Sequence, residues 1–338
     1  GAVCGGSHVL AGGGDARLIL VHSLDTRTKT PPVVYGTPPT ILSLACSADD
    51  RLVATVGSGP DVLVWDMESR SLSRVIPLKG VHGDTQAVAW STRGALATGS
   101  EDGSVCLIDA ASGTVVRGDY PADHKGAVQQ VNDVAFSPDG HTLASAGWDR
   151  KIHLWTVGNG SLTHSSVLEG HRNGVSGVCF SKDGTLVTSS SWDQTARTWD
   201  VPSGAEKMRF GGMSGPVFAV AQGRTPALVV GGWHGQTWVW NPQTGANDFR
   251  KSAQTDVVFR VAISHSGRWV ASGSADRTVW LYDLEQGMSP QNPHIGDFRS
   301  SVRGLAWTND DSRVVIGTSD GFLFLLPSQI PGTDVPAP

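Results

Sequence analysis

The chain has 338 residues, of which 39% are hydrophobic and 17% are charged, and its formal net charge is −5 at pH 7. A charged fraction below the roughly 25% of an average soluble domain indicates a core-forming chain and excludes a disordered one. Lys and Arg occur only as scattered residues and pairs, and apolar runs stay below the roughly 20 residues of a membrane span. We therefore expect no nucleic acid and no membrane as partner, and the cytoplasm is the default location.

An internal repeat organises the chain. VNDVAFSPDGHTLASAGWDRKIHLWTV, from Val131, and VSGVCFSKDGTLVTSSSWDQTARTWDV, from Val175, align almost residue for residue. Each unit alternates apolar and polar residues in short runs that Gly, Asp and Ser turns separate, which is the pattern of antiparallel strands. The frame recurs along the whole chain, with units that begin near residues 1, 41, 85, 131, 175, 217, 258 and 302.

Each unit predicts a small meander of three strands, with a fourth strand in weaker stretches such as residues 205–210. One such sheet cannot bury both of its faces, so the units must pack against each other in a closed array. We predict a single all-β domain over residues 1–326 and a proline-rich C-terminal tail over residues 327–338.

The chain resembles the WD-repeat β-propeller family over nearly its whole length. The family pattern of a Gly-His pair, a Ser, an Asp and a Trp-Asp ending occurs in full once, in the unit that contains GHRNG and TWD. The resemblance implies a closed ring of four-stranded antiparallel blades, and a hydrogen-bonded tetrad in that unit formed by His171, Ser189, Asp193 and Trp199. Counting the segment from Gly1 as a unit predicts eight blades, and a seven-bladed ring with an irregular N-terminal segment is the alternative.

Motifs that would indicate catalysis or a cofactor do not occur. GGMSGP, residues 211–216, does not fit the strand-to-helix turn of a serine hydrolase, and AGGGDA, residues 11–16, leads into a strand where a phosphate-binding loop needs a helix. The histidines lack metal-ligand spacing. The four cysteines lie far apart, and we interpret them as free thiols. We predict no catalytic residue, no metal and no cofactor.

Three tryptophans share one position of the repeat, directly before the turn aspartate or its replacement. The resemblance implies that this residue points out over the face where the central channel is narrower, and that the second residue of each first strand is exposed on the same face. We therefore predict a partner-binding surface of apolar floor and charged rim, formed by Trp148, Trp192, Phe218, Trp233, Phe259, Arg303 and Glu101. The alternative is that these rings fold inward and close the channel.

These observations favour a non-catalytic scaffold that binds a protein or a peptide segment. Because the chain begins at Gly1 without a methionine, we expect it to be one propeller domain of a larger regulatory or sensor protein. A propeller enzyme with a site in the central channel and an architectural subunit that binds through its blade edges are the alternatives.

Overall fold

A computed structural model describes residues 8–12, 18–23, 33–36, 40–69, 71–118, 129–223, 227–241, 244–285, 289–290 and 295–327. Regular structure in these residues consists of antiparallel strands and one 3-10 helix, Trp233–Gly235. The predicted all-β class is therefore confirmed. Pro327, the first residue of the predicted tail, ends the last strand, and residues 328–338 lie outside the described residues.

The N-terminal strands and the first three blades follow each other in chain order. A separate sheet contains β1 (His8–Gly12), β2 (Leu18–Ser23) and β3 (Val33–Gly36). Blade 1 contains β4 (Ile41–Cys46), β5 (Leu52–Gly57), β6 (Asp61–Asp66) and β7 (Ser71–Pro77). Blade 2 contains β8 (Thr85–Trp90), β9 (Ala95–Ser100), β10 (Val105–Asp109) and β11 (Val115–Arg117). Blade 3 contains β12 (Val131–Phe136), β13 (Thr142–Gly147), β14 (Lys151–Gly158) and β15 (Ser161–Glu169).

The remaining blades repeat this meander. Blade 4 contains β16 (Val175–Phe180), β17 (Leu186–Ser191), β18 (Ala196–Asp200) and β19 (Glu206–Phe210). Blade 5 contains β20 (Val217–Gln222), β21 (Leu228–Gly232), β22 (Gln236–Trp240) and β23 (Asn247–Ser252). In blade 6, β24 (Val258–Ile263), β25 (Trp269–Ser274) and β26 (Thr278–Asp283) carry two short outer strands, β27 (Ser289–Pro290) and β28 (Ile295–Asp297). Blade 7 contains β29 (Val302–Trp307), β30 (Arg313–Thr318) and β31 (Leu323–Pro327).

The ring closes after seven blades. The first strand of each blade packs against the first strand of the next blade, and β29 of blade 7 packs against β4 of blade 1. Strand β1 lies along β31, at the outer side of blade 7. The closed propeller is confirmed and has the seven blades of the alternative, so the preference for eight was wrong.

The interface between blades 7 and 1 shows why no space remains for an eighth blade. A Cβ atom on Gly317 of β30 would lie 2.8 Å from the Ile41 side chain and 3.1 Å from that of Leu44. The interface between blades 2 and 3 has the same close approach, where a Cβ atom on Gly99 would lie 2.3 Å from Val131. Because the closing interface reproduces an internal one, β4 occupies the place of the next blade in sequence.

Seven hydrophobic clusters stabilise the ring, and each is built mainly from two neighbouring blades. The cluster that joins blades 3 and 4, for example, packs Ile152 and Leu168 against Val178 and Trp199. An isolated blade would leave one side of such a cluster in water, so the apolar burial that stabilises the fold depends on ring closure.

Candidate functional site

The turn between the second and third strands begins with the same backbone hydrogen bond in all seven blades. Its first residue donates its N–H to the carbonyl of the residue just before the first strand, as in Trp192 N–H to Gly174 at 3.0 Å. This bond makes seven positions equivalent and places them at one end of the ring, which we call the turn face. The seven residues are Ser58, Glu101, Trp148, Trp192, Trp233, Ala275 and Ser319.

A β-bulge directs a second set of side chains toward the same region. In every first strand the pairing register shifts across the second residue, for example between Val175 and Gly177. A bulge leaves one residue out of the ladder and re-aims its side chain. The seven residues at this position are Leu42, Gln86, Asn132, Ser176, Phe218, Phe259 and Arg303.

Five aromatic residues from these two sets form a continuous series of ring contacts across blades 3 to 6. Centroid separations are 5.1 Å between Trp148 and Trp192, 5.1 Å between Trp192 and Phe218, and 6.0 Å between Phe218 and Trp233. Phe259 joins the series at 5.8 Å from Phe218. We call these five residues the aromatic arc.

The aromatic arc borders a cavity of about 350 Å³ on the axis of the ring, which we call the central cavity. All seven bulge residues line it, together with the tryptophans of the arc. Trp233 is 39% exposed, and the other four rings are half-buried. The rings therefore border an opening and remain accessible from the turn face.

Two arginines supply the charge of the central cavity. The guanidinium carbon of Arg303 lies 3.6 Å from the centre of the Phe259 ring. Desolvation lowers the pKa of Arg303 to about 10, and the positive charge of Arg260 acts in the same direction. Arg303 consequently remains a cation at neutral pH, although it is partly removed from water.

Arg260 and Asp133 form the polar layer next to Arg303. Arg260 donates to the carbonyls of Phe259 at 3.0 Å and Leu42 at 3.2 Å. Burial raises the pKa of Asp133, while the charge of Arg260 opposes that rise, and the Asp133 carboxylate accepts the Val178 N–H at 2.9 Å. The charge of Asp133 therefore acts on Arg260.

The structure brings six of the seven predicted binding residues together at the central cavity: Trp148, Trp192, Phe218, Trp233, Phe259 and Arg303. Glu101 does not line the cavity. Its side chain is exposed and accepts the Asp84 N–H at 3.2 Å. Whether these residues bind a partner stays a prediction.

The four residues of the implied tetrad are hydrogen-bonded in blade 4. His171 lies 2.9 Å from Asp193 through Nδ1 and 2.8 Å from Ser189 through Nε2, and Trp199 donates its indole N–H to the Ser189 hydroxyl at 2.9 Å. These contacts connect the turn face to the third strand, so they support the position of Trp192 beside Asp193.

Three polar residues, at the tetrad position and at or next to the central cavity, were not predicted from the sequence. Gln254 takes the place of the tetrad histidine in blade 6 and accepts the Ser272 hydroxyl at 2.8 Å. A signal existed, because Gln254 precedes Asp276 by the same number of residues as His171 precedes Asp193. Asp133 and Arg260 could also have been found, because both are charged third residues of first strands. The third residue of the other first strands is Ser, Ala or Gly.

The described residues contain no cluster of three or more His, Cys, Asp or Glu side chains that could hold a metal ion. Cys46, Cys106 and Cys179 are free thiols, and burial raises the pKa of Cys106 to about 11. Such a thiol is protonated at neutral pH and is a poor nucleophile. Cys4 lies outside the described residues. In the part of the chain that is described, no helix has the length and apolar character that crossing a bilayer requires.

A closed ring of seven antiparallel blades defines the class of protein as a β-propeller. The model of the "WD domain, G-beta repeat" family matches residues 77–109, 121–156, 162–200 and 249–283. With these four repeats and this ring, the chain belongs to the WD-repeat β-propeller family.

Similarity to curated proteins covers parts of the chain. The target of rapamycin complex subunit wat1 of Schizosaccharomyces pombe is 32% identical over 127 residues, which are 37% of this chain and 38% of that protein. Protein HIRA of Zea mays is 34% identical over 145 residues, 36% of this chain and 15% of that protein. Cell division cycle 20.1, cofactor of APC complex, of Arabidopsis thaliana is 30% identical over 116 residues, 34% of this chain and 24% of that protein. The matches thus span less than two thirds of each relative's length.

Proposed function

We propose that this propeller is a non-catalytic binding module that docks a segment of another protein on the aromatic arc. The observation that carries the proposal is the equivalence of the seven turn positions. All seven make the same backbone hydrogen bond, yet three consecutive blades place tryptophan there and the other four place Ser, Glu or Ala. Blade construction therefore does not require the three indole rings.

Exposure of the arc supports docking as its role. Each aromatic side chain can offer about 150 to 250 Å² of apolar area, and soluble proteins seldom leave a contiguous patch of that kind uncovered. Tryptophan is enriched among residues that dominate binding energy at interfaces. A segment with bulky apolar or aromatic side chains would gain affinity as water leaves these rings.

The names of two relatives agree with such a role. One is a subunit of the target of rapamycin complex, and another is a cofactor of the APC complex. Both names describe proteins that act within assemblies. These names support a role in binding other proteins, while the kind of partner of this chain is inferred from the chemistry of the aromatic arc.

Selection from a phage-displayed library of random peptides tests the proposal with a defined probe. We expect the intact protein to enrich peptides with aromatic or large aliphatic side chains, and the double variant Trp148→Ala/Trp192→Ala to lose these peptides. The matched control is Ser58→Ala/Ser319→Ala, which alters two equivalent turn positions outside the arc and should keep them. Enrichment that survives in the Trp148→Ala/Trp192→Ala variant would assign binding to another surface, such as the blade edges.

A further inference from the structure

Arg303 holds a buried hydrogen-bond donor that lacks an acceptor. Its Nε–H is out of contact with solvent and has no hydrogen-bond partner among the described residues. A buried polar group without a partner typically costs about 1 to 3 kcal/mol, and more when the group is charged. The guanidinium carbon lies 3.6 Å from the centre of the Phe259 ring. Packing against this ring defines the position of Arg303, while its hydrogen bonding is incomplete.

The charges around the central cavity are unbalanced. Among the described residues that line it, the charged ones are Arg260 and Arg303, and none is a carboxylate. Asp133 interacts with Arg260, and Arg260 is already bonded to two backbone carbonyls. The charge that acts on Arg303 is therefore the repulsive one of Arg260.

We infer that Arg303 forms a carboxylate subsite in the central cavity, which receives an aspartate or glutamate side chain next to the apolar residue that docks on the aromatic arc. The inference rests on the proposed function and names the partner's chemistry. A guanidinium presents N–H groups in a planar fork that matches a carboxylate, and charge-assisted bonds of this kind are stronger than neutral ones. A carboxylate would also offset the repulsion between Arg303 and Arg260.

The geometry favours a side chain over the end of a chain. Arg303 lies between Phe259 of the aromatic arc on one side and Leu42 and Gln86 of blades 1 and 2 on the other. A segment that crosses the opening has protein surface before and after Arg303, so it continues on both sides while one acidic side chain enters the cavity. A cationic side chain is disfavoured here, because it would meet two arginines.

Peptides from the library selection test this inference. We expect enriched sequences to place Asp or Glu within a few residues of a Trp, Phe or Leu. An enriched peptide is then synthesised with amidated C-terminus, and its binding to the intact protein is measured by isothermal titration calorimetry. Changing the acidic residue to Gln or Asn in the peptide should weaken binding about tenfold or more.

Variants of the protein locate the effect. With Arg303→Gln we expect a similar loss of affinity for the acidic peptide, and little difference in affinity between the acidic and the amide peptide. The affinity of Arg303→Lys for the acidic peptide should lie between those of the unaltered protein and Arg303→Gln. Arg172→Gln removes an exposed arginine of blade 4 that does not line the cavity, and it should leave affinity unchanged. If Arg303→Gln does not fold, the affinities of the acidic and the amide peptide for the unaltered protein still test the carboxylate subsite.

The outcomes separate the inference from the proposed function. Enriched peptides that depend on Trp148 and Trp192 but tolerate Gln in place of the acid would overturn the carboxylate subsite and retain docking. Peptides that bind only with a free C-terminal carboxylate would also overturn it, because the acid would then come from a chain end. A selection that yields no peptide dependent on the aromatic arc would overturn both.

Discussion

Trp192 and Trp199 are seven residues apart in blade 4 and occupy opposite environments. Trp199, in the third strand, is 1% exposed and donates its indole N–H to Ser189. Trp192, in the preceding turn, is half-buried, and its ring contacts two other members of the aromatic arc, Trp148 and Phe218. One indole completes the blade interior, and the other belongs to a surface.

Across the ring the two positions vary differently. Blade 2 fills the third-strand position with the buried residue Ile108. Five other blades fill it with a large buried aromatic residue: Trp65, Trp155, Trp199, Trp240 and Tyr282. The turn position ranges from Ser to Trp on an unchanged backbone bond. A position that tolerates such different volumes is free of packing requirements, whereas one that stays large is dictated by the core.

The largest expected effect is on the core member of the pair. Trp199→Ala should lower the free energy of unfolding by about 3 to 5 kcal/mol, because it leaves a cavity and removes one hydrogen-bond donor to Ser189. Urea titration followed by circular dichroism measures it. A loss below about 1 kcal/mol would contradict the distinction between core and surface.

Trp192→Ala should act on binding instead. We expect affinity for an arc-dependent peptide to fall by at least about 30-fold, as is typical for loss of a buried interface anchor. The melting temperature should stay nearly unchanged, since no buried hydrogen bond is lost. A collapse of the melting temperature would show that the rings close the channel as structural elements.

Asp193, the neighbour of Trp192, extends the comparison to electrostatics. Burial alone would raise its pKa, but bonds from His171, Thr195 and the Arg172 N–H hold the pKa of Asp193 well below its ordinary value. A depressed carboxylate contributes stability above its unfolded pKa of about 4, and that stability is lost as the pH falls through and below this value.

Asp193→Asn should therefore reduce the free energy of unfolding at pH 7 by about 2 kcal/mol, the scale of a charge-assisted hydrogen bond. The gap between variant and original protein should narrow when urea titrations are repeated from pH 5 toward pH 3. An equal difference in unfolding free energy at pH 5 and pH 3 would mean that the charge of Asp193 does not contribute to stability.

The smallest effect is expected where a tryptophan is added. Ser58 of blade 1 occupies the turn position equivalent to Trp192, and its N–H donates to Thr40 at 3.3 Å. Ser58→Trp should change the free energy of unfolding by no more than about 0.5 kcal/mol, the usual range for surface substitutions. Strong destabilisation would show that the turn position carries a packing constraint outside the aromatic arc.

Local sequence by itself determined the strands, the turns and the residues of the two face positions. Alternation with period two, Gly and Asp at the turns, and the repeat spacing are properties of neighbouring residues, so they can be read before folding. The placement of Trp148, Trp192 and Trp233 at one turn position follows from the same alignment.

Tertiary structure decided the number of blades and the charge of the central cavity. Closure depends on the fit of Gly317 against Ile41 and Leu44, and these contacts join the last blade to the first. The N-terminal segment resembles a unit in sequence, yet its strand β1 lies beside β31, because β4 already fills the next position in the ring. Likewise, Arg303 meets Phe259 and Arg260 only after seven first strands converge on one axis, and local periodicity holds no information about which side chains face each other there.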